Sequence, residues 1–166
     1  MNYRHFMEKA LEGARQALLA GEFPVGCVIV YENRILVSGT RKGTRGEHIN
    51  EVDHAEMVAL RRLTHVGENI DRHKVTLFTT LEPCLMCFGA IVLSRIGKLV
   101  YAYEDVMGGV TRSDIRQLGP LYQTAKISII PNIMRRESLE LLKFFFSNPA
   151  NIYWKESVLA EYTLRQ

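Results

Sequence analysis

His54-Ala55-Glu56 and Pro83-Cys84-Leu85-Met86-Cys87 are the residues of this 166-residue chain best suited to chemistry. One imidazole and two thiols make three zinc-ligand candidates, and Glu56 is a carboxylate poorly placed to be a fourth. Three protein ligands leave a tetrahedral ion one open position, where a water can be held and activated. A structural zinc site gains nothing from an unpaired carboxylate beside it. A hydrolytic site does, because the carboxylate carries a proton from water to the leaving group. The pattern therefore points to an enzyme.

The spacing supports a shared site. Cys84 and Cys87 stand three apart at the start of a predicted helix, so both sulfurs fall on one face of its first turn. Pro83 suits that boundary, where a missing N–H costs nothing, and the helix N-terminus favours the thiolates that bind metal. His54 opens a second predicted helix. Glu56, two positions on, would point about 200° around the axis from His54 at full helical twist, but the looser first turn lets both approach one small volume.

Other readings stand beside this one. A Cys-x-x-Cys after a strand also fits a thioredoxin-like redox pair. The upstream His-x-Glu argues against that, and no Trp or Gly-Pro flanks these cysteines. For a closed zinc site, His65 lies about 16 Å from His54 by helical rise and is out of reach. His73 falls before a strand, at its far end, while His48 and Cys27 stay open as fourth ligands. By type and context Cys27 reads as a buried small hydrophobe, and His5, His48, His65 and His73 as surface residues.

The elements that must position these groups follow from periodicity. Residues 3–20 are apolar at helical spacing up to Gly21. Strands are predicted over 25–31 and 34–38, joined by Glu32-Asn33, and residues 40–53 form a long polar loop. A helix over 54–65, a strand over 75–80, a helix over 84–95 and a strand over 98–103 follow. After a turn at 105–109, a last strand covers 127–130, with helices over 137–146 and 153–162. Helix-length segments between the later strands imply parallel crossovers, whereas the first two strands make a hairpin. The expected architecture is α/β, three layers, with a mixed sheet of about five strands between helices. One domain over 1–166 is expected, with the helices from about 135 packing on it.

Composition excludes several classes. With 47% apolar and 23% charged residues the chain reads as a soluble globular protein, and no apolar run is long enough for a bilayer. The charged N-terminus does not read as a signal peptide, and three cysteines, an odd number, suggest reduced thiols in a cytoplasm. A net charge of +3, from 21 basic and 18 acidic residues, is compatible with RNA without requiring it.

His54-Ala55-Glu56 with Pro83-Cys84-x-x-Cys87 resembles the zinc-dependent nucleobase deaminase superfamily. The similarity extends through Phe23–Gly26, His54–Leu60, Glu82–Cys87 and Ser94–Gly97. It is nearest to the tRNA adenosine deaminases and their guanine and cytosine deaminase relatives, and covers roughly residues 3–145. The resemblance implies one Zn²⁺ per chain on His54, Cys84 and Cys87. It also implies hydrolytic attack on an amine-bearing ring carbon, with Glu56 protonating the ring nitrogen and then the departing amine, which releases ammonia. Val25 and Ala55 match pocket positions of the family, and Pro83 and Arg41 are further substrate-binding candidates. The family fold is a five-stranded sheet between helices, and homodimers are expected.

One departure bears on the substrate. Where these relatives place an Asn that hydrogen-bonds the base, this chain has Arg41, in Ser38-Gly39-Thr40-Arg41-Lys42-Gly43. Arg only donates, so the pocket would suit an acceptor-rich ring or a substrate phosphate; otherwise Arg41 is a solvated loop residue and Asn50 serves the base. A free base, nucleoside or nucleotide is thus expected ahead of tRNA. Similarity to the wobble-adenosine enzymes and the basic groups Arg61-Arg62, Arg135-Arg136 and Arg41-Lys42-x-x-Arg45 carry the tRNA alternative. A non-catalytic zinc-bearing subunit is disfavoured because Glu56 is present. Tyr153, Trp154 and Phe144–Phe146 either cap the site or pack against the sheet.

Overall fold

Apolar side chains recurring every three to four residues build α1 (Tyr3–Leu19), which buries Phe6, Met7, Ala10, Leu11, Ala14 and Ala17. Asn2 caps it by accepting from the His5 N–H. β1 (Gly26–Tyr31) and β2 (Arg34–Thr40) form the expected hairpin, and Glu32 and Asn33 both take positive φ at its two-residue turn. There follow α2 (Ala55–Leu63), β3 (Thr76–Leu81), α3 (Leu85–Leu93), β4 (Lys98–Tyr103), the single turn α4 (Pro120–Gln123), β5 (Ser128–Ile130), α5 (Arg135–Ser147) and α6 (Val158–Arg165). The computed structural model describes residues 1–46, 48–67 and 69–166.

The sheet runs β2-β1-β3-β4-β5. β1 is antiparallel to both neighbours, whereas β3, β4 and β5 are parallel, as the helical crossovers require. Alternation sorts the side chains. Val28, Val30, Phe78, Val100 and Ala102 meet α1 on one face, while Cys27, Ile29, Leu77 and Leu99 meet α2 and α3 on the other. The result is the three-layer mixed α/β/α architecture. α5 packs beside α1 and over β4, and α6 lies on α5.

Two details place the site. The start of α2 presses on β2 at Gly39, where a Cβ would fall 2.1 Å from the Ala55 carbonyl oxygen, so only glycine lets the helix approach. The parallel strands β3 and β4 end side by side, with Leu81 opposite Tyr103. A crevice beyond the carboxyl ends of such strands is where α/β sheets hold ligands.

The final helix differs from expectation. Residues 153–157 form turns, and α6 begins only after Ser157, whose hydroxyl accepts from the Ala160 N–H. Asn151 explains the delay: its side chain accepts from the Tyr153 N–H and donates to the Tyr153 carbonyl, offering that backbone an alternative to helix. Trp154 then takes φ +55°.

Candidate metal centre and active site

His54 is the N-cap of α2 and Cys84 the N-cap of α3. Because both are extended rather than helical, each side chain leaves its helix start freely. β3 lies beside β1, so the two helix starts meet at one end of the sheet. There His54 Nδ1 stands 3.6 Å from Cys84 Sγ and 3.5 Å from Cys87 Sγ. Zinc bonds of about 2.3 Å to sulfur and 2.0–2.1 Å to nitrogen at a tetrahedral angle separate N from S by about 3.5–3.6 Å. The donor set therefore fits zinc in both chemistry and spacing. Among the described residues these three form the one group of potential ligands close enough to share an ion. Cys27 is buried in the core and His48 is exposed, so neither of the open fourth-ligand readings holds. His5, His65 and His73 are exposed as well.

Electrostatics favours the ligand form of Cys84. A hydrogen bond from Cys87, against the opposing effect of burial and with help from His54, brings the Cys84 thiol down to about 4. The same contact, together with burial, pushes the Cys87 thiol up. One sulfur is thus a thiolate at neutral pH, the form that binds metal.

Glu56, in the first turn of α2, is 3% exposed. Its Oε1 accepts from the Thr79 hydroxyl at 2.7 Å, and its Oε2 lies 3.6 Å from Cys87 Sγ. Burial pushes its carboxyl up despite the Thr79 bond, which suits a group that must both take and give a proton. A carboxylate beside the three ligand atoms, rather than among them, distinguishes this centre from a structural staple.

The cluster opens into a pocket of about 550 Å³, counted out to its mouth. His54, Glu56 and Cys84 line it, with Val25 and Ala55 among its mostly apolar walls, and Phe23, Tyr153 and Trp154 supply aromatic surface. Pro83 is buried outside that wall; its carbonyl accepts from the Val110 N–H. Asn50 does not reach the pocket either, because its side chain organises the Val52 and Asp53 backbone. Arg41 lines the pocket yet is 2% exposed, so it is not a solvated loop residue. Nη1 donates to the Lys42 and Asn50 carbonyls, and Nη2 donates to Glu51 and Tyr153. All four Nη hydrogens are placed on the protein, so the ring or phosphate contact expected of Arg41 lacks an Nη donor.

Several lining or supporting groups escaped the sequence reading. Glu82 accepts from the Asp105 N–H, the Thr111 N–H and the Thr111 hydroxyl, pinning the 105–111 turn over the Cys84 edge. Asp105 lines the pocket, with burial pushing its carboxyl up. Its signal was its place just beyond the end of a parallel strand. Thr79, inside a β-branched run, offered none.

A family profile described as the cytidine and deoxycytidylate deaminase zinc-binding region matches residues 1–103. The tRNA-specific adenosine deaminase of Agrobacterium fabrum (strain C58) is 34% identical over 143 residues, 86% of this chain and 92% of the relative. A solved structure from work on A-to-I editing by tRNA:A34 deaminases at the wobble position of transfer RNA is 33% identical. It superposes with a TM-score of 0.69 over 82% of this chain and 98% of its own. A guanine deaminase from Nitrosomonas europaea, 22% identical, shares the fold at a TM-score of 0.65, covering 86% and 83% of the two chains. With its zinc-fitting triad and adjoining carboxylate, the chain belongs to the cytidine and deoxycytidylate deaminase zinc-binding family and is a hydrolytic deaminase.

Proposed function

We propose that the chain deaminates an amino-substituted nucleobase, taken up as a free base, nucleoside or nucleotide, and releases ammonia. The observation that carries this reading is Glu56, buried at the back of an apolar, aromatic-walled pocket and within 3.6 Å of a ligand sulfur. His54, Cys84 and Cys87 would hold a zinc ion, which would supply an activated water, since coordination lowers the pKa of water to about 7. Glu56 takes a proton from the attacking water and passes it to the ring nitrogen, then takes the proton of the hydroxyl now on the ring carbon and passes it to the amine, which departs as ammonia. Thr79 holds Glu56 Oε1, which leaves Oε2 on the cluster side for the transfer. Val25 and Ala55 hold the ring plane between apolar surfaces, with Phe23 beside them. Residues 1–166 act as one deaminase domain, and its thiolate ligands fit a reducing cytoplasm.

A second reading, a tRNA wobble-adenosine deaminase, is favoured by the identity to enzymes of that name. Ammonia release across purines, pyrimidines, pterins and an anticodon stem-loop separates the two, with Glu56→Ala as the blank. Glu56→Ala is expected to keep its zinc and lose turnover by about 10²–10⁴-fold, the span of general acid–base catalysis. Equal release from this variant would refute the proton-carrier role. Turnover of the stem-loop alone would establish the second reading.

A further inference from the structure

Arg41, Glu51 and Tyr153 close a hydrogen-bonded ring at the pocket mouth. Arg41 Nη2 donates to Glu51 Oε2 at 2.8 Å and to the Tyr153 hydroxyl at 3.1 Å. The Tyr153 hydroxyl in turn donates to the same Glu51 oxygen at 2.8 Å. The other Glu51 oxygen accepts from the Trp154 indole N–H at 3.5 Å. Arg41 Nη1 meanwhile holds Lys42 and Asn50, the two sides of the preceding loop. One buried guanidinium therefore ties the segment before α2 to the segment before α6, 112 positions away. A planar fork with fixed donor directions suits such a junction better than an ammonium point charge would.

This junction determines where two aromatic rings stand. Tyr153 is nearly buried and packs at 5.6 Å from Phe23 and from Trp154, ring centre to ring centre. Trp154 lines the pocket while remaining 40% exposed, which places it at the rim. Its φ of +55° is a left-handed conformation that a bulky residue keeps only when its surroundings impose it. Among the lining residues Arg41 is the only Lys or Arg, and its Nη donors are engaged. The pocket thus offers a phosphate no free guanidinium edge, and offers a flat ring a fixed aromatic roof.

We infer that the Arg41–Glu51–Tyr153 clamp fixes Tyr153 and Trp154 across the pocket mouth as a specificity element, selecting a free, unphosphorylated planar base or nucleoside over a nucleotide or an RNA loop. Arg41 is then a positioning residue, not a substrate ligand. The inference rests on the deaminase reading above and narrows its substrate class. An RNA nucleotide enters only if the roof lifts, which means breaking the bonds that Arg41 and Glu51 make to it.

Trp154 is the single tryptophan of the chain, so intrinsic fluorescence reports the roof directly. In the zinc-loaded protein, acrylamide quenching is expected to rise about twofold in Glu51→Gln and in Tyr153→Phe, as a two-fifths exposed ring becomes locally free. Arg41→Lys keeps the charge but loses the fork, and is expected to behave alike. Wild-type quenching in all three variants, with melting curves showing them folded, would overturn the clamp. Adenine and cytosine, used as probes, are expected to shield Trp154 in the wild type, whereas their nucleoside 5′-monophosphates and an anticodon stem-loop do not. Equal shielding by the stem-loop or the monophosphates would overturn the substrate class. For whichever base is turned over, the three variants are expected to raise KM about tenfold, within what one aromatic–base stack is worth. They should raise KM more than they lower kcat, the mark of lost binding; the reverse split would move the network into the chemical step and overturn a positioning role. Should no compound release ammonia, the deaminase reading fails while the quenching series still decides the clamp.

Discussion

Cys84 and Cys87 reach the metal position differently, one from the cap of α3 and one from its first turn, and this makes Cys84 the sharper probe. Serine at position 84 preserves the cap and its size but removes the thiolate that Cys87 and His54 hold at neutral pH against the opposing effect of burial. Cys84→Ser is therefore expected to lose most bound zinc after dialysis and to melt at lower temperature, because binding free energy at a ligand cluster is folding free energy. Metal analysis at full occupancy would contradict it. The triad was legible in the sequence because its signals are local: two cysteines within one helical turn and a histidine just before another helix. Arg41 was not. A guanidinium's role depends on what its donors meet, and Tyr153 and Glu51 come to it only in the folded chain. Read from its position in a motif, Arg41 is a substrate contact or a solvated loop residue, whereas its side chain is buried and its Nη donors meet Lys42, Asn50, Glu51 and Tyr153.

At the level of elements, most of the sheet and its helices were legible because the strands are short apolar runs bounded by turns and most helices keep one apolar face. The C-terminal segment was the exception, since an apolar period through 153–162 hid the Asn151 turn that delays α6 to Ser157. What holds that segment down is a polar junction at the end of β4. Glu104 accepts from Arg135 at the start of α5, in a bidentate contact, and from the Tyr162 hydroxyl of α6. Burial alone would raise the Glu104 carboxyl, but the Arg135 and Tyr162 bonds outweigh it and hold it below the usual range. A carboxyl depressed in the fold stabilises above its unfolded pKa of about 4.3, and that stabilisation disappears as pH falls through the lower folded value. Glu104→Gln is expected to cost about 1–2 kcal/mol at pH 7, discounted for a partly exposed partner, and to cost progressively less below about pH 4. Urea titrations of both proteins at several pH values test this; a penalty independent of pH would assign the loss to packing rather than charge.

Among the described residues, the outer face of α3 is a surface that the fold does not account for. α3 carries no charged residue, yet Leu85 is 64% exposed and Leu93 54%, with open space around Gly89 midway between them on the same stripe. A helix that is apolar all round belongs in an interior. Its inner face, through Cys87, Phe88 and Ile91, covers the sheet and fixes one ligand sulfur, so an outer cover would also brace the metal centre. If a second copy of the chain covers this short, uncharged stripe, a two-fold axis across Gly89 would set Leu85 of one copy against Leu93 of the other. Light scattering on the eluted protein is expected to give about 38 kDa, twice the 19.0 kDa chain. Leu93→Glu sets a carboxylate against Leu85 of the other copy at each end of the contact and should shift the mass to 19.0 kDa with the monomer still folded. A wild-type mass of 19.0 kDa at the same concentration would leave the stripe uncovered by this chain and rule out the dimer. If the dimer forms, the monomeric variant should also release zinc to a chelator faster, because the start of α3 would have lost its outer support.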